Sequence, residues 1–278
     1  MERQLGDDEY RKLLAHFRRD ILPPTHPASQ TVHRVGSRIA DAALDFCQQH
    51  NLHHMGDAKH PRPFTYTVVR SDMANAFVLP GNHVFVMTGL FRYVQTEDDL
   101  AGVLGHEVAH NVARHAGEKI SGSAVINFVA RLSLLVDPSG FMFTLLLPAT
   151  TLFRTLPHSR IQETEADEIG VHLAAKACYD PRACKRVFAA MKEGNPSGEK
   201  GKNGRRSEPP EFLSTHPSHE SRISNFDKWL PDAMSLYQSD FGERCRRVRQ
   251  DMEMARRHAA QQARIREARS MASIRPQY

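Results

Sequence analysis

The chain has 278 residues, 40% hydrophobic and 25% charged, enough to bury a sizeable core in one large or two small domains and incompatible with a collagen-like or fully disordered chain. Its four cysteines, at 47, 178, 184 and 245, are too few for a disulfide-dense secreted scaffold and form no C-x-x-C pair, which also excludes a zinc ribbon. The formal net charge is +5, but ten arginines against four acidic residues put +6 on segment 243–278 and leave residues 1–242 near −1, so the body is not a basic nucleic-acid-binding core.

The opening run MERQLGDDEYRKLLAHF lacks the apolar centre of a signal peptide and is too acidic for a mitochondrial transit peptide. It reads as a first helix over 8–19, and the protein is either cytosolic or lacks an upstream targeting region in this sequence. Pro23-Pro24 separates it from a second helix over 29–50, where Val32, Val35, Ile39, Ala43 and Phe46 recur at helical spacing. FTYTVVRS (64–71) alternates as a strand. NAFVLP then leads through Gly81-Asn82, a hairpin-type turn, into a second strand, HVFVMTG (83–89). Thr96 with Asp99 three residues on has a capping-box pattern, and the helix it starts is predicted to run to about Glu118.

Residues 123–153 are the most apolar part of the chain and divide into two 14-residue pieces at Asp137-Pro138. Each falls short of the roughly 20 residues that a membrane-crossing helix needs. They suit either a pair of core helices or a hydrophobic hairpin at a membrane surface. Helices are predicted over 159–177 and 181–192, a flexible insertion over 194–211, and a long Arg-, Ala- and Gln-rich helix beyond Pro231. The basic tail, 243–278, suits a solvated helix or an arm docking on acidic lipid headgroups. It lacks the interleaved aromatics of a nucleic-acid-binding arm.

The chemistry concentrates in His106-Glu107-Val108-Ala109-His110, an H-E-x-x-H motif. At 3.6 residues per turn, positions i and i+4 share a helix face, so His106 and His110 can offer ring nitrogens to one Zn²⁺. Glu107 is displaced by about 100°, too far for a natural third ligand but placed to take a proton from an attacking water, the general-base position. A catalytic zinc needs a third protein ligand. The region RIQETEADEIG offers Glu163, Glu165, Asp167 and Glu168, with Glu163 and Asp167 on one face. Spacing alone does not choose between Glu163 and Glu165, and Asp167 can accept the free ring N–H of a ligating histidine. His115, five residues after His110, lies about 140° round an unbroken helix, which makes it a supporting residue rather than a ligand. His219 reads as a loop residue, and His83 and His172 carry no signal. The residues Asn75, Ala76, Phe77 and Val78 lie on a strand that can pair with an extended substrate backbone.

Together, HEVAH, ETEAD and STHPSHESRI (214–223) resemble the gluzincin metallopeptidases of the HtpX, BepA and CaaX-prenyl-protease superfamily. NAFVLPGNHVFVMTGL, LAGVLGHEVAHNVARHAGE, SRIQETEADEIG, ACYDPRA and PEFLSTHPSHESRI look most like its mitochondrial inner-membrane, stress-activated branch, over about residues 5–235. The resemblance implies an α+β fold, mostly helical and zincin-type, with a small β-sheet beside the zinc helix and one zinc per chain. It implies a peptidase domain over 1–242 and Glu163 as third ligand. It places His216 at the active site, able to stabilise the oxyanion or, in some members, to plug the zinc, with Arg222 supporting. It implies protein or peptide substrates, membrane association and an open question of oligomerisation. Its targeting sequence and N-terminal membrane segment have no match in the chain, nor has the Arg-rich tail a counterpart. A plugged zinc-binding scaffold and a bacterial-envelope or cytosolic peptidase are the competing readings. The four unpatterned cysteines do not favour an oxidising compartment and do not exclude one.

Overall fold

In the computed structural model, the described residues are 2–52, 56–57, 60–118, 160–194, 212–213, 216, 220–238, 245–250, 253–254 and 257. The greasy stretch 123–153, His219, all of the 194–211 insertion but Gly194 and most of the tail lie outside them.

The periodic apolar residues of the second predicted helix form α2 (Pro27–Gln49) and bury Val32, Val35, Ile39 and Ala43. Pro27 occupies its first turn, where a missing N–H does no harm. Helix α1 (Glu2–His16) precedes it. A two-residue hairpin, β1 (Gly56–Asp57) and β2 (His60–Pro61), leads to the main sheet. That sheet contains β3 (Thr65–Val69), β4 (Ala76–Leu79) and β5 (His83–Met87), in the order β3-β5-β4. β3 runs parallel to β5, and β4 antiparallel to it. Gly81 at φ 94° and Asn82 at φ 69° make the tight turn between β4 and β5. Both residues tolerate that left-handed backbone.

Alternation along β5 gives the sheet two buried faces. Phe85 and Met87 pack with Tyr10, Leu13 and Phe17 on the α1 side. Val84 and Val86 join Val35, Ile39, Leu100 and Leu104 in the main core. That core extends from α2 and α3 (Glu97–Val112) to α4 (Arg160–Lys176), α5 (Arg182–Glu193) and α6 (Glu220–Gln238). The architecture is α+β, with the small sheet lying beside α3.

The Thr96–Asp99 capping box forms, and Arg186 pairs with Asp99 at 2.6 Å. One expectation needs correction. The helix predicted to reach Glu118 stops at Val112, because Arg114 adopts φ 59° and turns the chain before a short helical turn over 115–118. Pro231 lies inside α6, which runs through it, and of the helix expected beyond it residues 245–250 are helical. Proline removes one backbone donor, but Phe226, Ala233 and Tyr237 are buried at helical spacing and hold both halves of α6 to the core. Cys178 and Cys245, 67 residues apart, form a disulfide, while Cys47 and Cys184 are free and buried. The disulfide ties the start of the basic tail to the end of α4, and Arg249 stacks over Tyr237 at 4.4 Å. No helix among the described residues is long and apolar enough to cross a membrane.

Candidate metal centre

Two helices must approach closely for their short side chains to meet, and two glycines allow it. A Cβ at Gly105 of α3 would stand 2.8 Å from the Gly170 carbonyl oxygen. A Cβ at Gly170 of α4 would stand 2.9 Å from the His106 nitrogen. This crossing sets His106, Glu107 and His110 of α3 against Glu163 and Asp167 of α4, and all five are buried. His216, just before α6, and Arg222, in the first turns of α6, close the third side.

The donor atoms converge. His106 Nε2 lies 3.1 Å from His110 Nε2 and 3.2 Å from His216 Nδ1. Glu163 Oε1 lies 3.0 Å from His216 Nδ1 and 3.4 Å from His110 Nε2, and Glu163 Oε2 lies 3.5 Å from His106 Nε2. One ligand atom from each of these four residues fits within a 4.8 Å cluster. Ligands at 2.0–2.1 Å from a tetrahedral ion stand roughly 3.3 Å apart. The separations therefore have the scale of a single metal site, and the residues fit the ion that their motif implies.

The surrounding polar groups orient this set. His106 Nδ1 stands 2.9 Å from Asp167 Oδ1, which places the ring proton toward Asp167 and leaves Nε2 its lone pair. Arg222 grips Asp167 through Nε and Nη2, at 2.7 and 2.8 Å. Its Nη1 is 2.7 Å from Glu163 Oε2, and it donates to the His216 carbonyl. Burial pushes the Glu163 and Asp167 carboxyls up. Hydrogen bonds to His110 and His216 for Glu163, and to Arg222 and His106 for Asp167, outweigh this and hold both below their ordinary values. Burial lowers the His106 ring against the pull of Asp167 and Glu163. At His216 burial acts in the same direction, but the Glu107 and Glu163 carboxylates prevail and raise it.

Glu107 has a different environment. Burial pushes its carboxyl up to about 7, opposed by His216, augmented by Glu163, and moderated by a hydrogen bond from the Val78 backbone. Met87 donates to the Asn75 carbonyl, so the antiparallel register turns the backbone groups of Ala76 and Val78 toward the outer edge of β4. Asn75, Ala76, Phe77 and Val78 thus lie on the sheet edge adjoining the motif helix.

His216 lies among the donors, with its Nε2 3.4 Å from Glu107 Oε1. His115 takes up a supporting place rather than one among the donors. The bend at Arg114 brings its Nδ1 to 2.8 Å from His110 Nδ1, and its Nε2 meets Glu165 at 3.2 Å. His83 bridges Thr65 and Asp7, and His172 caps the Glu168 carbonyl on the surface. Sequence reasoning missed Gly105, Gly170 and an aromatic wall in which Phe212 stacks on His216 at 4.6 Å and Phe188 packs on His106 at 5.2 Å. Only the glycines carried a signal, as helix-interior residues of poor propensity.

An α+β fold with paired helix-borne histidines, a glutamate between them and a carboxylate from a crossing helix is that of a metallopeptidase. Residues 30–230 match peptidase family M48, and the chain belongs to this family. It is 38% identical to the mitochondrial metalloendopeptidase OMA1 of Schizosaccharomyces pombe over 235 residues, 84% of this chain and 62% of that protein. It is 30% identical to the mitochondrial metalloendopeptidase OMA1 of Homo sapiens over 247 residues, 84% of this chain and 43% of the relative. The beta-barrel assembly-enhancing protease of Escherichia coli is 30% identical over 171 residues, 59% of this chain and 34% of the relative. The chain thus spans between 34% and 62% of the length of these three proteins.

Proposed function

We propose that the protein is a zinc metalloendopeptidase that cleaves membrane-associated or misfolded proteins in quality control at the mitochondrial inner membrane. The observation that carries the chemistry is the convergence of His106, His110 and Glu163 with Glu107 buried beside them. A set of two histidines and one glutamate is a known catalytic zinc set. The mitochondrial role rests on the names of the OMA1 relatives, and contact with a membrane would fall to 123–153.

When bound, zinc supplies Lewis-acid polarisation of the scissile carbonyl and lowers the pKa of water toward neutrality. Glu107 takes the proton of the attacking water and passes it to the leaving amine. The Val78 backbone fixes the Glu107 carboxyl, and the edge of β4 pairs with an extended substrate. Asp167 and Arg222 hold His106 and Glu163 in place. Among the donors His216 closes the site; moved out of the donor set by a substrate, it would be placed to donate a hydrogen bond to the oxyanion.

Glu107→Gln tests this reading. Bound zinc stays near one per chain while cleavage of a denatured protein falls by about 10²–10⁴-fold. Unchanged cleavage would remove Glu107 from the mechanism. The location of His216 within the donor set also suits a plugged zinc-binding scaffold. Absence of turnover on denatured protein by the wild type and by His216→Ala, both zinc-loaded, would favour that scaffold.

A further inference from the structure

We propose that His115 and Glu165 form a positioning relay that orients His110 and connects it to the protein surface. The proposal rests on the assignment of His110 as a metal ligand. In an unbroken helix, a residue five positions after His110 points about 140° away and could not touch it. The chain departs from the helix at one residue, Arg114, whose φ of 59° is unfavourable for a side chain with a Cβ. The result of this departure is the 2.8 Å contact between His110 Nδ1 and His115 Nδ1, with His115 only 1% exposed.

The contact has a direction once His110 Nε2 gives its lone pair to a metal. The proton of His110 must then sit on Nδ1, which donates to His115 Nδ1. His115 in turn carries its proton on Nε2, facing Glu165 Oε2 at 3.2 Å. One arrangement of protons satisfies the whole chain, and binding of the metal selects it. Without a metal, either ring can donate at the shared contact.

The two histidines are therefore supported differently. His106 leans on Asp167, whose side chain is fully buried and gripped by Arg222. His110 leans on His115, which leads out to Glu165, a side chain 54% exposed. Glu165 lines a surface cleft of about 760 Å³ together with Phe46, Leu52, Val112, Arg114 and Ile169. A change at this exposed carboxylate reaches the metal through two hydrogen bonds without altering any ligand.

Zinc affinity, measured by chelator competition and by the visible spectrum of the cobalt-substituted protein, tests the relay without reference to turnover. His115→Phe keeps a ring but neither hydrogen bond, and weakens zinc about 10–100-fold. In His115→Asn the amide oxygen occupies the position of Nδ1, and it restores most of that loss. Glu165→Ala, a surface change, weakens zinc several-fold and leaves the thermal midpoint of the metal-free protein unchanged. Affinity within twofold of wild type in both His115→Phe and Glu165→Ala would overturn the relay, as would equal losses in His115→Phe and His115→Asn. If His115→Phe does not fold, an unchanged affinity in Glu165→Ala overturns it alone. A wild-type protein that holds no zinc would overturn the ligand assignment and the relay with it. Zinc binding by the wild type with unchanged variants overturns only the relay.

Discussion

The same three side-chain types meet twice in this molecule, once inside and once near the surface. At the metal centre, Asp167 accepts a two-point grip from Arg222 and a contact from His106. Where α1 docks on the sheet, Asp7 accepts a two-point grip from Arg62, at 2.6 and 3.2 Å, and a contact from His83 at 2.8 Å. The distances are nearly the same, but the solvent is not. The Asp167 side chain is 0% exposed and that of Asp7 is 34% exposed. An ion pair in water is weak, while a buried charge that loses its partner is expensive. The inner triad should behave as one unit that cannot be taken apart, and the outer one as a fastening that can.

The widest separation between the two should come from removing each arginine. Arg222→Met leaves the Glu163 and Asp167 carboxylates buried without their cation, and chemical denaturation of the metal-free protein should show a loss of about 3–5 kcal/mol. Arg62→Met should fall within about 1 kcal/mol of wild type in the same measurement. Equal losses in the two variants would break the comparison.

A smaller effect should come from the backbone crossing beneath the inner triad. In Gly170→Ala the new Cβ meets the His106 nitrogen at 2.9 Å, and overpacking of this kind costs about 1–3 kcal/mol. Because the clash pushes α3 from α4, zinc affinity should fall along with stability. Loss of stability alone would show that Asp167 and Glu163 keep their places without the close crossing.

How much of this was legible beforehand depended on whether the signal was local. The capping box at Thr96, the strands on either side of Gly81-Asn82 and the pairing of His106 with His110 all follow from residues a turn or a hairpin apart. The end of α3 does not, because Arg114 is neither glycine nor asparagine and nothing in its identity announces a left-handed backbone. That one unread bend separated His115 from His110 by 140° in the sequence reading. The crossing at Gly105 and Gly170 and the Cys178–Cys245 disulfide join residues 65 and 67 positions apart, and such contacts are determined by packing, not by local pattern. Glu163 was chosen over Glu165 by resemblance, and the packing of α4 places Glu163 among the donors and Glu165 at the surface.

The smallest effect is expected at Asp7, where pH tests what solvent exposure leaves. Hydrogen bonds from Arg62, then from His83, hold its carboxyl below the ordinary carboxylate value. A carboxyl with a depressed folded-state pKa binds its proton more readily in the unfolded chain. Its contribution is therefore present above the unfolded value, near 3.9, and is lost as pH falls from there through the folded value. Asp7→Asn should thus cost about 0.5–1 kcal/mol at pH 7, reduced by exposure, and the gap between variant and wild type should close as acid protonates Asp7. Asp167 is depressed in the same direction, but its protonation also frees Arg222 and His106 in a place that water does not reach. If denaturation curves between pH 3 and 7 gave Asp7→Asn and Asp167→Asn equal gaps, burial would not be what distinguishes the two triads. A gap several times larger for Asp167→Asn at pH 7 would show that the buried triad, whose Arg222 also pairs with Glu163, is the costlier one to open.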